Sequence, residues 1–152
     1  MVVINSTFTN NRATHGGAVV DVVGKTKIMF STFANNSGQT ASTLSSSGTM
    51  EVWASIIYGT QIYEDYCAGN IVDQGGNLQF PNADCGDAIP VSDPKLLSLG
   101  DYGGATQTFA LDSGSPAIDS VPASICQQLT QLVDQRGLPR DVQACDSGAY
   151  EE

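Results

Sequence analysis

The sequence predicts an all-β protein, a parallel β-helix of about three rungs with an irregular, disulfide-stapled C-terminal cap. Three observations support this class: a repeat of 24 to 25 residues in the first half, short alternating apolar runs without a helical period, and two closely spaced cysteine pairs. The 152 residues suffice for one domain with a buried core.

The repeat is read directly from the chain. Residues 6–11 (STFTNN) recur at 31–36 (STFANN), and a weaker copy begins at Ala54. Residues 75–78 (GGNL) resemble a degenerate fourth copy. Because side chains two apart share one face of a strand, equivalent residues of stacked rungs form columns. The predicted inward columns are Met1, Thr26 and Met50; Val3, Ile28 and Val52; Phe8, Phe33 and Ile57; and Val20 and Leu44.

Polar residues mark the predicted corners of each rung. Small serines recur at Ser6, Ser31 and Ser55, where the coil would turn. The asparagine pairs at 10–11 and 35–36 suit left-handed backbone positions, and stacked amides bond from rung to rung.

An apolar stripe of Ile4, Met29 and Trp53 lies on the predicted outer face of the same strands. Three interpretations are open. The C-terminal half covers the stripe, the stripe is an aromatic platform for a sugar or an apolar partner, or it is a contact between copies. We expect the Trp53 side chain to be mostly covered by protein.

The cysteines form two local pairs, Cys67 with Cys85 and Cys126 with Cys145, separated by 18 and 19 residues. Neither pair has the C-x-x-C spacing of a zinc or redox motif. We predict two loop-closing disulfides, each stabilising the fold by roughly 3 kcal/mol; four reduced thiols are the alternative. Disulfides indicate an extracellular protein. The N-terminus lacks the features of a signal peptide, so we expect a missing upstream segment.

The second half is rich in turns. The predicted division places the rungs at 1–62, and a degenerate rung with the cap at 63–152. Only residues 123–132 carry a helix signal. A repeat protein needs a terminal cap, which this segment would provide. Near its end, four charged residues are predicted to form a network that holds the last segments down: Asp134, Arg136, Arg140 and Asp146.

Five motifs follow one another between residues 93 and 151: Asp-Pro-Lys-Leu, Gly-Gly-x-Thr, Gly-Ser-Pro-Ala-Ile-Asp, Asp-Gln-Arg-Gly-x-Pro-Arg and Cys-Asp-x-Gly-Ala-Tyr-Glu. This string resembles the C-terminal region of the choice-of-anchor Q group of bacterial surface proteins. The upstream Phe-x-x-Asn copies resemble repeats of polymorphic outer-membrane proteins and autotransporter passengers. The resemblance implies a right-handed β-helix and an exported surface protein of undefined activity.

The residues favour a non-catalytic module for adhesion or display, with a carbohydrate or protein ligand. A β-helix hydrolase or lyase needs clustered outward carboxylates, but residues 1–60 hold only Asp21 and Glu51, at non-equivalent positions. The one histidine, His15, has no serine-nucleophile motif beside it. A polysaccharide lyase or hydrolase is the alternative. No cofactor is expected, although a calcium site among the loop aspartates stays open.

The net charge and the edge of the first rung indicate which partners the chain could bind. A net charge of −10 argues against nucleic acid, and no apolar run approaches the length of a membrane helix. The first rung presents an uncapped sheet edge and an apolar layer. We therefore expect self-association through the N-terminal rungs, most simply as a two-fold dimer.

Overall fold

The computed structural model describes residues 1–15, 17–21, 23–60, 65–129 and 133–152. Within these ranges the regular structure is strand, apart from one four-residue helix. In chain order the elements are β1 (Val2–Ile4), β2 (Thr7–Thr9), β3 (Arg12–His15), β4 (Val19–Asp21), β5 (Lys25–Met29), β6 (Thr32–Ala34), β7 (Ser37–Thr40), β8 (Leu44–Trp53), β9 (Ile56–Tyr58), β10 (Cys67–Asp73), β11 (Leu78–Phe80), β12 (Val121–Pro122), α1 (Ala123–Cys126) and β13 (Ala144–Cys145).

Two sheets of parallel strands contain most of the described strand residues. The first has the order β1-β5-β8-β10, with β4 beside the first part of β8, and the second has the order β2-β6-β9-β11. A third pair, β3 and β7, is also parallel. The prediction of an all-β chain is confirmed, and the sheets that carry the core are parallel.

Sequence-equivalent apolar residues meet across these sheets. Val3 is the Cα partner of Ile28, which pairs in turn with Val52. Phe8 pairs with Phe33, and their rings stack with centroids 5.1 Å apart. The side chains of these residues point inward, and those of their neighbours in sequence point outward, because successive residues of a strand face opposite sides. The result is a narrow apolar core between the sheets.

A ladder of polar side chains runs beside this core. The N–H of Ser31 donates to Ser55 Oγ at 3.1 Å, and the N–H of Ser55 donates to Asn77 Oδ1 at 2.9 Å. The N–H of Ser6 approaches Ser31 Oγ at 3.4 Å. Each side chain thus binds a backbone N–H that lies 22 to 25 residues earlier in the chain, and those of Ser31 and Ser55 are buried groups that need a partner.

The asparagine pairs occupy a second corner. Asn10 and Asn35 have φ angles of 56° and 57°, the left-handed conformation predicted for them. The buried Asn36 accepts hydrogen bonds at Oδ1 from the backbone and side-chain nitrogens of Asn11, at 3.1 and 2.9 Å. Its Nδ2 donates to the carbonyl of Phe8 at 3.0 Å.

One predicted column has the wrong register. Val19, not Val20, is the Cα partner of Leu44. Val19 is 5% exposed and Val20 is 43% exposed. Two adjacent valines carry no alternation, so the pattern could not decide which of them faces inward. The N–H groups of both Ala18 and Val19 donate to the Thr43 carbonyl, which sets the register.

The column that begins at Met1 also differs from the prediction. Thr26 and Met50 are buried, but Met1 is 61% exposed. Among the described strands, β1 pairs only with β5, so no described strand on its other side covers the Met1 side chain.

The segment after the sheets covers one end of the core. Leu78 is the partner of Ile56, so the predicted fourth copy adds a strand. The buried amide of Gln79 then binds the following loop: its Nε2 donates to the Gly86 and Ile89 carbonyls, both at 2.8 Å, and its Oε1 accepts from Cys85 N at 3.0 Å.

The remaining chain is irregular and lies beside the sheets. The strands β12 and β13 form a short antiparallel pair next to α1. Of the predicted helical stretch 123–132, residues 123–126 form α-helix, and 130–132 lie outside the described residues. The predicted boundary between 62 and 63 also lies outside them.

Candidate binding groove

The outer face of the first sheet carries the apolar stripe. Ile4, Met29 and Trp53 are Cα partners on successive strands. They point outward because successive side chains of a strand alternate, and the adjacent Ile28 and Val52 lie in the core. The sheet therefore gathers three residues that are 24 or 25 positions apart in sequence.

The C-terminal segment packs against part of this stripe. Met29 and Trp53 contact a second buried cluster, against which Ile125 of α1 also packs. The buried members of the cluster are Phe30, Ala54, Val121, Cys126, Leu129 and Cys145. Trp53 is partly covered and partly exposed. The stripe thus has a covered side and an open side.

A groove of about 360 Å³ opens on the uncovered side of Trp53. One wall is the outer face of the first sheet, and the other is the chain that follows α1. We call it the Trp53 groove, and its lining residues are Lys27, Met29, Trp53, Gln74, Gln128 and Leu129. The lining is amphipathic and contains no carboxylate among the described residues.

The ammonium group of Lys27 lies over the indole of Trp53, 5.6 Å from the ring centroid. This is within the range of a cation–π interaction, which holds the charge beside the groove. Glu51 is the Cα partner of Lys27, but the Glu51 carboxylate forms a salt bridge with Lys25. Within the described ranges, Lys27 takes part in no salt bridge.

The predicted charge network divides into two ion pairs. In the first, Asp134 Oδ2 accepts from Arg136 Nε at 2.7 Å and from Glu151 N at 3.1 Å, while Oδ1 accepts from the N–H groups of Arg136 and Leu138. The Arg136 guanidinium lies over the ring of Tyr150 at 3.7 Å. Asp134 thereby organises the turn that follows it.

The second ion pair joins Arg140 to Glu151, a residue that the sequence did not single out. Arg140 Nη1 donates to Glu151 Oε2 at 2.9 Å, and Nη2 donates to the Gly148 carbonyl at 2.9 Å and to Asn5 Oδ1 at 3.2 Å. The guanidinium also covers the Phe30 ring at 4.2 Å. Burial lowers the pKa of Arg140, and the neighbouring Glu151 carboxylate opposes that shift.

Asp146 is held by backbone donors. Its Oδ1 accepts from Asp119 N and its Oδ2 from Glu152 N, both at 2.8 Å. Burial raises the pKa of Asp146 to about 6, against the effect of these two hydrogen bonds. The negative charge of Glu151 acts in the same direction as burial.

Both predicted disulfides are present, Cys67 with Cys85 and Cys126 with Cys145, and no cysteine is free. The first joins the start of β10 to the loop that covers the core end. The second joins α1 to β13, next to the covered side of the stripe.

The described part of the chain holds no group of three or more His, Cys, Asp or Glu side chains placed to bind a metal ion. Several aspartates in loops or at a strand end accept hydrogen bonds from backbone N–H groups one or two residues later: Asp73, Asp93, Asp101, Asp112 and Asp141. These are turn-forming contacts. The side chain of His15 lies outside the described part.

None of the described helices is long and apolar enough to cross a membrane. Comparisons of the chain with protein-family models, with curated proteins and with solved structures found no significant match.

Proposed function

We propose that the chain is a non-catalytic, right-handed parallel β-helix module of an extracellular surface protein, of the kind found in the choice-of-anchor Q group. Its role is to hold an outer surface rigidly for adhesion or display, with a carbohydrate or protein ligand. Parallel pairing of strands at a spacing of 24 or 25 residues supports the coil.

The observation that carries the proposal is a strap, residues 140–149, that binds the successive turns from outside. Arg140 donates to Asn5 Oδ1, and Ala149 N donates to Thr32 Oγ1 at 3.0 Å. Two further bonds reach the next two turns: Gly148 N donates to the Ala54 carbonyl at 2.9 Å, and Ser147 Oγ donates to the Gly76 carbonyl at 2.5 Å. The strap therefore touches four sequential turns.

A strap of this kind has a mechanical consequence. In a stack of repeats each unit contacts only its neighbours, so the stack opens from its ends. A segment bonded to four turns makes their opening a single event. This favours a module that must stay rigid under load or exposure.

The buried charged residues also favour a rigid, non-catalytic module. Asp134, Arg140, Asp146 and Glu151 are buried, and each bonds within the C-terminal segment. The carboxylates of Asp134, Asp146 and Glu151 are enclosed by the protein, which keeps them away from a substrate. The disulfides favour an oxidising, extracellular compartment.

We also propose that the module self-associates through the edge formed by β1 and β2. Met1 O and Asn5 N bond to β5, so the backbone groups of the intervening Val2 and Ile4 alternate away from the sheet. Val2 is exposed, and Phe8 is only partly covered. A second copy is favoured as the occupant because residues 1–60 have three basic and two acidic side chains, whereas the acidic excess lies in residues 61–152.

The function is tested with the oxidised protein and a panel of purified polysaccharides and extracellular-matrix proteins immobilised on a sensor. We expect saturable binding to at least one member, and no new reducing ends when the polysaccharides are incubated with the protein. The reduced and alkylated protein is the control. Shortened polysaccharide products, or binding to no member of the panel, would overturn the proposal.

A further inference from the structure

We propose that the Trp53 groove is a binding site for a carboxylated sugar, such as a uronic acid within a polysaccharide. The inference rests on the proposed display function and names the ligand class and the surface. It is supported by the charge, the hydrogen-bonding capacity and the partly exposed aromatic ring that meet in one groove.

Lys27 supplies the positive charge of the groove. The chain has 16 acidic and 6 basic residues, so an ammonium group without a salt bridge among the described residues, in a lining without carboxylates, reverses the local sign. Lys25 on the same strand is neutralised by Glu51, and Arg136 and Arg140 are also paired. Lys27 is thus available to a carboxylate of the ligand, with which it would form a charge-assisted hydrogen bond.

The polar capacity of the groove comes from two amides. Gln74 follows β10, and Gln128 follows α1, so they reach the groove from different parts of the chain. Neither side chain bonds to another described residue. A primary amide offers both donors and an acceptor, which matches the hydroxyl groups of a sugar.

The aromatic part is Trp53. An indole has a negative π face, and the C–H groups of a pyranose ring carry partial positive charge, so the two surfaces attract. Met29 and Leu129 extend this apolar wall. The volume of about 360 Å³ lies within the range of small-ligand sites. A larger depression over β3 and β7 has no aromatic lining residue among those described, which favours the Trp53 groove for a sugar.

The experiment uses two trisaccharides that differ only in the carboxylate: β-1,4-linked mannuronic acid trisaccharide and β-1,4-mannotriose. Trp53 is the only tryptophan of the chain, so its intrinsic fluorescence reports binding at the groove itself. We expect a saturable fluorescence change with the mannuronate, and binding of the neutral trisaccharide that is weaker by about tenfold, the effect of one charge-assisted hydrogen bond.

Two substitutions test the assignment. Lys27→Met keeps the aliphatic stem and should weaken mannuronate binding by about tenfold while leaving mannotriose unchanged. The matched control is Lys95→Met, which removes an exposed ammonium group outside the groove and should change neither. Trp53→Phe should weaken the binding of both trisaccharides, as measured by calorimetry. Circular dichroism checks that this variant is folded.

Failure of this inference is distinguishable from failure of the display function. Absence of mannuronate binding, or binding that Lys27→Met leaves unchanged, would overturn the groove assignment. If the panel described above still contains a ligand, the display function stands with a different surface. If the panel contains none, both proposals fail.

Discussion

Single buried polar residues hold neighbouring strands in register. Asn36 is the clearest case because its one amide bonds to three groups of Phe8 and Asn11, 25 to 28 residues earlier in the chain. Its Oδ1 and Nδ2 pair with the partly buried backbone N–H of Asn11 and carbonyl of Phe8. Leaving such a group without its hydrogen-bond partner costs more free energy than the hydrogen bond itself contributes.

Asn36→Ala is therefore expected to lower the free energy of unfolding by about 1 to 3 kcal/mol. Asn70→Ala is the matched control, since Asn70 is exposed and donates one hydrogen bond, to Thr49 Oγ1 at 3.2 Å. Its effect should stay within about 0.5 kcal/mol. Urea denaturation measures both, and equal losses would contradict the role given to Asn36.

Asp146 predicts a pH dependence. Since burial raises its pKa from 3.8 to about 6, the folded protein holds this proton more tightly than the unfolded chain does. Its contribution is then fully present below about pH 4 and is lost as the pH rises through about 6. The effect has the opposite sign to that of an ion-paired carboxylate.

Asp146→Asn should flatten the fall in stability between about pH 4 and about pH 6, as measured by urea denaturation at several pH values. Asp112→Asn, at an exposed turn, should keep the wild-type slope. The pKa of Asp84 is also raised by burial, so both variants are compared with the wild-type curve and not with a flat line. An unchanged slope in Asp146→Asn would contradict the assignment.

At the scale of the strand, the register of β4 decides which of two identical side chains is structural. Val19 faces Leu44 in the core, and Val20 faces solvent beside Ser45. A shift of one residue would reverse these positions.

Val19→Ala should cost about 1 to 3 kcal/mol, because it leaves a cavity in the core. Val20→Ala, the same change one residue away, should cost less than about 0.5 kcal/mol. Thermal and urea unfolding measure the difference. The reverse order would show that β4 pairs in the register that the repeat had predicted.

For the whole molecule, the strap joins distant parts of the chain. Gly148 lies against Thr32 and Ile56, where a Cβ would come within 2.8 Å of Thr32 Oγ1 and 2.9 Å of Ile56 Cδ1. Its φ of +99° is also one that other residues rarely adopt. The strap can pass this close to the sheet only because residue 148 is glycine.

Gly148→Ala should lower stability by about 1 to 3 kcal/mol and broaden the unfolding transition, because the turns lose their common tie. Gly137→Ala is the control: its φ is +83°, and a Cβ added there would have no described atom within 4 Å outside its chain neighbours. Gly137→Ala therefore has the free-energy cost of a positive φ but no steric clash of the added Cβ. A cost no larger than that of Gly137→Ala would contradict the role of the strap.

The proposed self-association is also tested at the scale of the whole molecule. At micromolar concentration, light scattering should show a dimer, and Val2→Lys should shift it to monomer by placing a charge on the open edge. Leu138→Lys, at an exposed site on the C-terminal segment, should leave the dimer intact. A wild-type monomer, or equal effects of the two variants, would contradict the proposal.

Strand content, the local disulfide pairing and the set of residues that meet on successive strands could all be predicted from the amino-acid sequence. These features depend on short-range periodicity and on spacing: Phe8, Phe33 and Ile57 lie side by side because equivalent positions of parallel strands pair. The register of Val19 escaped the pattern because two adjacent valines do not alternate.

The strap, the part of Glu151 in it and the Trp53 groove arise only in the folded chain. Residue 5 meets residue 140, and residue 53 meets residue 129, only after the irregular C-terminal chain has folded back on the sheets. No periodic pattern encodes where such a segment lies. Its path follows from individual contacts, a buried ion pair and one glycine, which act at distances that a repeat does not express.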